Sequence, residues 1–313
     1  MNARLGRGMR MLLPVLTAFA LTLAAVAASA EPDRPLSVRA PRAASAVGQA
    51  SVTACNPKAS SLRPSGPLQV TPGSFMEKIR ARGYLIAGVD QNTYHFGYFN
   101  PANGQIEGFD IDMIKAVARY IGVTKVEYKA ISDDQRIPDV ENGAVDIVAH
   151  TMTILCDRLK YVDFSSVYFD AGQRVLVLKS SAARSLAALA GQKVCATTGS
   201  DSLARIIAAR AIPVRVPYWT DCLVLLQQGD VAAISTDDAI LAGLEAQDPW
   251  TTMVGPAVSH EPYGLAISKQ HPDFVRFVNA VLEQLRSDGQ WAASYRHWIG
   301  PSAPAPPQPL YAD

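Results

Sequence analysis

The sequence predicts an α/β protein. Short apolar runs recur between residues 75 and 300, amphipathic helical patterns stand between them, and polar residues follow the ends of the runs. In order, "YLIAGVD" reads as a strand and "GFDIDMIKAVARYIG" as a helix. The helix has Phe109, Met113, Ile114, Val117, Ala118 and Ile121 on one face and Gly122 as a stop. "VDIVA" and "QRVLVL" read as strands, "SLAALAG" as a helix, "KVCA" as a strand and "SDSLARIIAARA" as a helix. The same beat continues through "VRV", "TDCLVLLQQG", "VAAIS" and "TDDAILAGLEAQ". A last helix buries Phe274, Phe277, Val278, Val281, Leu282 and Leu285. Strands alternating with helices imply mainly parallel sheets with right-handed crossovers, and such sheets hold ligands at the carboxyl ends of their strands.

The 313 residues, 49% hydrophobic and 18% charged, suffice for one large domain or two modest ones. Lys and Arg number 29 against 28 Asp and Glu, with no basic run, so the electrostatic footprint of a nucleic-acid binder is missing. Arg4, Arg7 and Arg10 precede the apolar "MLLPVLTAFALTLAAVA", and Ala28, Ser29 and Ala30 follow it, so residues 1–30 read as a signal peptide. An uncleaved anchor is the alternative, and either one puts the body outside the cytosol, secreted or at the outer face of the membrane or envelope. Residues 31–74 hold seven of the 21 prolines and read as a linker; residues 301–313 hold five more and read as a tail. Export makes Cys55, Cys156, Cys195 and Cys222 candidates for disulfides, with three pairings open. "VTAC", ending at Cys55, looks like a lipidation box but lies far from the apolar run.

Four strand ends carry polar groups. "VDIVA" runs into "HTMTILCDR", with His150, Thr151, Thr153 and Arg158; "AGVD" ends in Asp90, before Tyr94 and Phe96. "KVCATTGSD" ends in Thr197, Thr198, Gly199 and Ser200, and "VAAISTDD" in Asp237 and Asp238. Loops of this composition complement a free amino acid. An arginine grips an α-carboxylate with two parallel charge-assisted bonds, a carboxylate accepts from an α-ammonium, and a serine opening a helix adds donors at the positive end of the dipole. Each charge-assisted bond contributes about 1.5–3 kcal/mol, so a few suffice for micromolar affinity. The alternative for Asp237 is a helix N-cap, and for His150 a hydrogen-bonded core histidine.

"IEGFDIDMIKAVA", "GAVDIVAHTMTILCDRLKYVDFSSVYFDAGQRVLV", "LAALAGQKVCATTGSDSLARI" and "STDDAILAG" resemble the extracellular solute-binding proteins of family 3, and within it the actinobacterial glutamate/glutamine type. The resemblance implies the periplasmic-binding-protein type II fold: two α/β lobes, each a mainly parallel sheet flanked by helices, joined by two crossover strands. Lobe one would comprise residues 75–172 and 264–300, and lobe two residues 173–263. It implies Arg158 on the ligand carboxylate with Thr153 and the Thr151 backbone beside it, Ser200 capping from lobe two, and Asp237 on the ammonium. Tyr94 or Phe96 would cover the side chain, with Asp90, His150 and Thr198 completing the site. Where the family often reads Gly-Met-Thr-Ile-Thr-Pro-Glu-Arg, Leu155 replaces the second threonine, Cys156 the proline and Asp157 the glutamate. Relatives that bind acidic side chains tend to offer a lysine at His150 and a basic residue near Thr198, which speaks against an acidic ligand.

With lobes assigned in this way, the expected disulfides are Cys55 to Cys156 and Cys195 to Cys222, because a bridge between lobes would resist closure. The implied role is capture of a polar amino acid of the glutamate, glutamine, aspartate or asparagine type for the permease of an ABC importer, by a monomer without cofactor. A ligand-sensing subunit would share every binding residue. A dehydratase on this fold would need a carboxylic acid facing substrate, for which Asp201 and Asp90 are the candidates. No metal site is expected, because the five histidines lack i, i+4 pairing and no cysteines are spaced for zinc.

Overall fold

The computed structural model describes residues 55–313, so the expected signal peptide and the first part of the proline-rich segment lie outside the described residues. The first lobe opens with α1 (Phe75–Arg82), β1 (Tyr84–Val89), a small meander β2 (Asn92–Thr93), β3 (Gly97–Asn100) and β4 (Gln105–Glu107), and α2 (Phe109–Ile121). It continues through β5 (Lys125–Ala130), α3 (Arg136–Glu141), β6 (Ile147–Ala149) and β7 (Val162–Phe164). After β8 (Phe169–Ala171) the chain builds a second lobe from β9 (Gln173–Leu178), β10 (Lys193–Thr197), α4 (Ser202–Ala208), β11 (Ile212–Val216) and α5 (Trp219–Gln228). That lobe ends with β12 (Ala233–Asp237), α6 (Asp238–Gln247) and β13 (Thr251–Val254). The chain returns through β14 (Glu261–Tyr263) to β15 (Ala266–Ser268), α7 (Pro272–Ser287) and α8 (Gln290–Trp298).

Two five-stranded sheets result, ordered β5-β1-β6-β15-β7 and β11-β10-β12-β9-β13. In each, four strands run in one direction, three of them paired in parallel as the alternation predicts, while the single strand next to the crossing point, β15 or β9, runs antiparallel to both of its neighbours. β9 and β15 enter directly from the two crossover strands rather than through a helix, so no right-handed crossover fixes their direction. The crossovers β8 and β14 pair with each other as a two-stranded ribbon. Each lobe has its own apolar core, one built on β1, α2 and α7 and the other on β9, β10, α5 and α6. Among the described residues, no helix is long and apolar enough to cross a membrane.

Local chemistry explains both ends of α1. Ser74 caps α1 by accepting from the Glu77 amide at 3.2 Å, and Gly83 ends it at φ +88°. The structure departs from the sequence reading in three places. "SLAALAG" yields only a single 3-10 turn at Ala187–Leu189. β5, a strand exposed along alternate positions, carries too few apolar residues to stand out. The proline-rich segments on both sides are extended but not free. Ser61 bridges Tyr311, Asn279 Nδ2 donates to Ser61 Oγ at 2.7 Å, Tyr311 OH donates to Glu283 at 2.6 Å, and Arg276 pairs with Asp313 at 2.6 Å. Proline suits such docked, extended chain because its fixed φ lowers the entropy lost on packing.

The disulfides are Cys55–Cys156 and Cys195–Cys222. The first ties the N-terminal segment to the loop after β6, and the second lies within the second lobe, between β10 and α5.

Candidate functional site

The carboxyl ends of β1, β6, β10 and β12 supply the cleft between the lobes. After β6, Thr151 adopts φ +42°, an uncommon backbone for a β-branched residue. Its amide donates to Asp110 Oδ2 at 2.8 Å, and the other oxygen of that buried carboxylate accepts from Tyr168 OH at 2.6 Å. The kinked loop turns Arg158 inward: it is buried, and its Nη1 donates to the Thr153 carbonyl at 2.7 Å. Its other edge faces lobe two, with Nη2 lying 3.4 Å from the Gly199 carbonyl and 3.6 Å from Asp201 Oδ1. Burial, with the like charge of Arg136, lowers its pKa to about 10.

Asp237 stands where β12 meets α6. It occupies the N-cap position of α6 but makes no side-chain cap bond; Asp238 instead accepts from the amides of Ala239 and Gly172. Asp237 Oδ2 accepts from Tyr263 OH at 2.7 Å, and its Oδ1 has no partner among the described residues. Thr153 pairs with Tyr263 through the backbone, so Arg158 and Asp237 are linked through two residues. Burial holds the Asp237 carboxyl well above its usual range, and the charges of Asp201 and Glu261 push the same way.

The remaining predicted residues fall in different surroundings. Ser200 is half-buried and donates to the Thr197 carbonyl at 2.9 Å. His150 is buried, its Nε2 3.0 Å from the Ile131 carbonyl and its Nδ1 3.4 Å from Asp133. Asp90 is engaged in its own turn, accepting from the amides of Gln91 and Asn92 and from Thr93. Tyr94 is half-buried against His95 and Tyr98, whereas Phe96 belongs to the first core and packs edge-on against Phe109, Phe169 and Tyr263. Thr198, just beyond the end of β10, is exposed, and its neighbour Thr197, the last residue of the strand, is buried at the cleft.

Several cleft residues escaped the sequence reading. Asp133 and Arg136 pair at 2.9 Å, and Thr197 Oγ1 donates to Asp133 across the cleft. Arg205, one turn after Asp201, meets Asp201 at 2.9 Å and Glu261 at 2.7 Å. Glu261 is fully buried, and burial together with Asp201 raises its carboxyl to about 7. Burial works against ionisation of Asp201 too, but Arg158 and Arg205 outweigh it and keep its carboxyl below the usual range. The alternation of "EPY" in a crossover strand, which puts Glu261 and Tyr263 on one side, is the signal that could have found them.

The sequence profile of the bacterial extracellular solute-binding proteins, family 3, matches residues 85–301. This chain belongs to that family. It is 37% identical over 226 residues to the ABC transporter glutamine-binding protein of Bacillus subtilis, covering 71% of this chain and 83% of that one. Among solved structures it is similar to an ancestral arginine-binding protein bound to glutamine, with 36% identity, a TM-score of 0.66, and 70% of this chain and 99% of the other covered. An ancestral amino acid-binding protein that is a precursor of cyclohexadienyl dehydratase aligns with 34% identity and a TM-score of 0.67, covering 72% of this chain and 100% of the other.

Proposed function

We propose that this protein works outside the cytosol, where it captures a polar amino acid of the glutamate, glutamine, aspartate or asparagine type by lobe closure and delivers it to the permease of an ABC importer. The observation that carries the reading is the buried pair Arg158 and Asp237, one with an edge turned across the cleft and the other with an unpartnered oxygen. A zwitterion satisfies both: its carboxylate meets the guanidinium and its ammonium donates to Asp237. Thr153 and the Thr151 backbone lie beside the guanidinium, and Ser200 sits at the opening of lobe two. The glutamine-binding relative supports an amino acid as ligand.

Binding without turnover fits the carboxylates better than dehydration. Asp201 is held in its ionised form between Arg158 and Arg205, and Asp90 is occupied by its own turn, so neither is suited to donate a proton as a general acid. The test is a thermal-shift screen of the twenty amino acids on the purified protein, followed by co-purification with membrane permease. A ligand at about 100 times its Kd raises stability by about 2.7 kcal/mol, and no shift with any amino acid overturns the reading.

A further inference from the structure

Arg136 is committed to Asp133, at 2.9 Å, and Arg205 is divided between Asp201 at 2.9 Å and Glu261 at 2.7 Å. Arg158 and Asp237 remain for the two charged ends of an amino acid. Three guanidiniums therefore face four carboxylates: Asp133, Asp201, Asp237 and Glu261. His150 faces Asp133 and Asp110, and Asp238, on the first turn of α6, is met by Arg174. A bound zwitterion adds no net charge, so carboxyl groups still outnumber guanidiniums in the closed cleft. The position of this excess is defined by Asp201, which reaches from lobe two toward the guanidinium edge that a ligand carboxylate would take.

We propose that Asp201, with Glu261 behind it, is the specificity-determining residue of the cleft: it selects amino acids whose side chains are uncharged or cationic and rejects those carrying a second carboxylate. The inference rests on the reading of Arg158 as the carboxylate grip and names which of its ligands bind. An amino acid held at Arg158 is short, so a side-chain carboxylate would sit within a few ångström of Asp201 or Glu261. At such separations, in a poorly solvated cleft, like charges repel strongly. An amide or guanidinium of similar shape would instead donate a hydrogen bond to the buried Glu261 Oε2, which has no partner among the described residues, Oε1 being the oxygen that meets Arg205. Burial is the main cause of the rise of Asp237 and Glu261 toward their protonated forms, and the charge of Asp201 adds to it in both.

Titration calorimetry at about pH 8, where Glu261 is mostly ionised, compares glutamine with glutamate, asparagine with aspartate, and arginine as the cationic member. The expected result is that the uncharged or cationic ligands bind at least about tenfold more tightly than the acidic ones, since tenfold needs only about 1.4 kcal/mol. Asp201→Asn, and separately Glu261→Gln, should reduce the preference for amide over acid by about tenfold. That preference is read only on protein that binds, so an unfolded variant cannot imitate it. Acidic ligands binding as tightly as their amides in the unaltered protein, or a preference that neither variant moves, would overturn the proposal. Arg158→Ala keeps the two readings apart. If it still binds, the carboxylate grip is wrong; if it is silent while both substitutions leave the preference unchanged, only the role of Asp201 is lost.

Discussion

Arg158 combines burial with a guanidinium edge that meets only long contacts across the cleft, 3.4 Å to the Gly199 carbonyl and 3.6 Å to Asp201, and a planar anion can engage such an edge with two parallel bonds. Replacing it with alanine should abolish binding of every amino acid while the thermal transition without ligand persists. Arg158→Lys should rescue poorly, because an ammonium cannot make two parallel bonds; alanine-variant affinity within about tenfold of the unaltered protein would exclude the grip. Glu261 makes a prediction of a different kind. Its carboxyl rises from 4.5 to about 7 on folding, so the native state holds the proton more tightly than the unfolded chain. The stability it contributes is complete below pH 4.5 and is lost as pH rises through about 7. Glu261→Gln should therefore flatten the decline in stability between about pH 5 and pH 8 by about 1–2 kcal/mol, allowing for solvent in the cleft. Denaturant titrations of both proteins across that range measure the difference, and parallel pH curves would show that Glu261 titrates normally.

The loop between β10 and α4 brings lobe two onto lobe one, and Gly199 is the residue that permits it. Its φ is +86°, and a Cβ there would lie 2.6 Å from the Asp134 amide nitrogen of the opposing lobe. Gly199→Ala should leave each sheet intact but weaken ligand binding at least about tenfold, because the backbone conformation and the close approach are both obstructed. Calorimetry together with an unchanged far-ultraviolet spectrum checks this, and wild-type affinity would mean that the loops meet differently. The strand ends that form the cleft were legible in the sequence because β1, β6, β10 and β12 are apolar runs followed by polar loops. The local pattern also marked Arg158 and Asp237. It could not show that Phe96 turns into the core or that Thr197 rather than Thr198 faces the cleft, since both depend on one-residue register. Arg136, Arg205 and Glu261 were hidden for another reason. They act through ion pairs between elements distant in sequence, and no short motif records those pairs.

Lobe closure requires a molecule stiff within each half and compliant between them, and the cross-links are distributed accordingly. Cys195–Cys222 joins two elements of lobe two, Cys55–Cys156 joins elements docked on lobe one, and the ribbon of β8 with β14 carries no covalent restraint. The N-terminal segment is held further by Ser61, which donates to the Phe164 carbonyl at 2.7 Å, and by Lys58, which pairs with Asp170 on the crossover β8. Cys55–Cys156 has a second consequence, because Cys156 stands two residues before Arg158 and anchors the loop that aims the guanidinium. The two bridges should therefore separate in their effects. By loop entropy, removing Cys55–Cys156, which spans 101 residues, costs about 4–5 kcal/mol, and removing Cys195–Cys222, which spans 27, about 3–4 kcal/mol. Both paired serine variants should unfold at lower denaturant. Only the Cys55→Ser, Cys156→Ser variant should also lose ligand affinity, by several-fold, since it alone frees the Arg158 loop. Equal loss of affinity in the Cys195→Ser, Cys222→Ser variant would assign the effect to general loosening, and retained affinity in both would leave the aim of Arg158 to the Asp110 contact with the Thr151 amide.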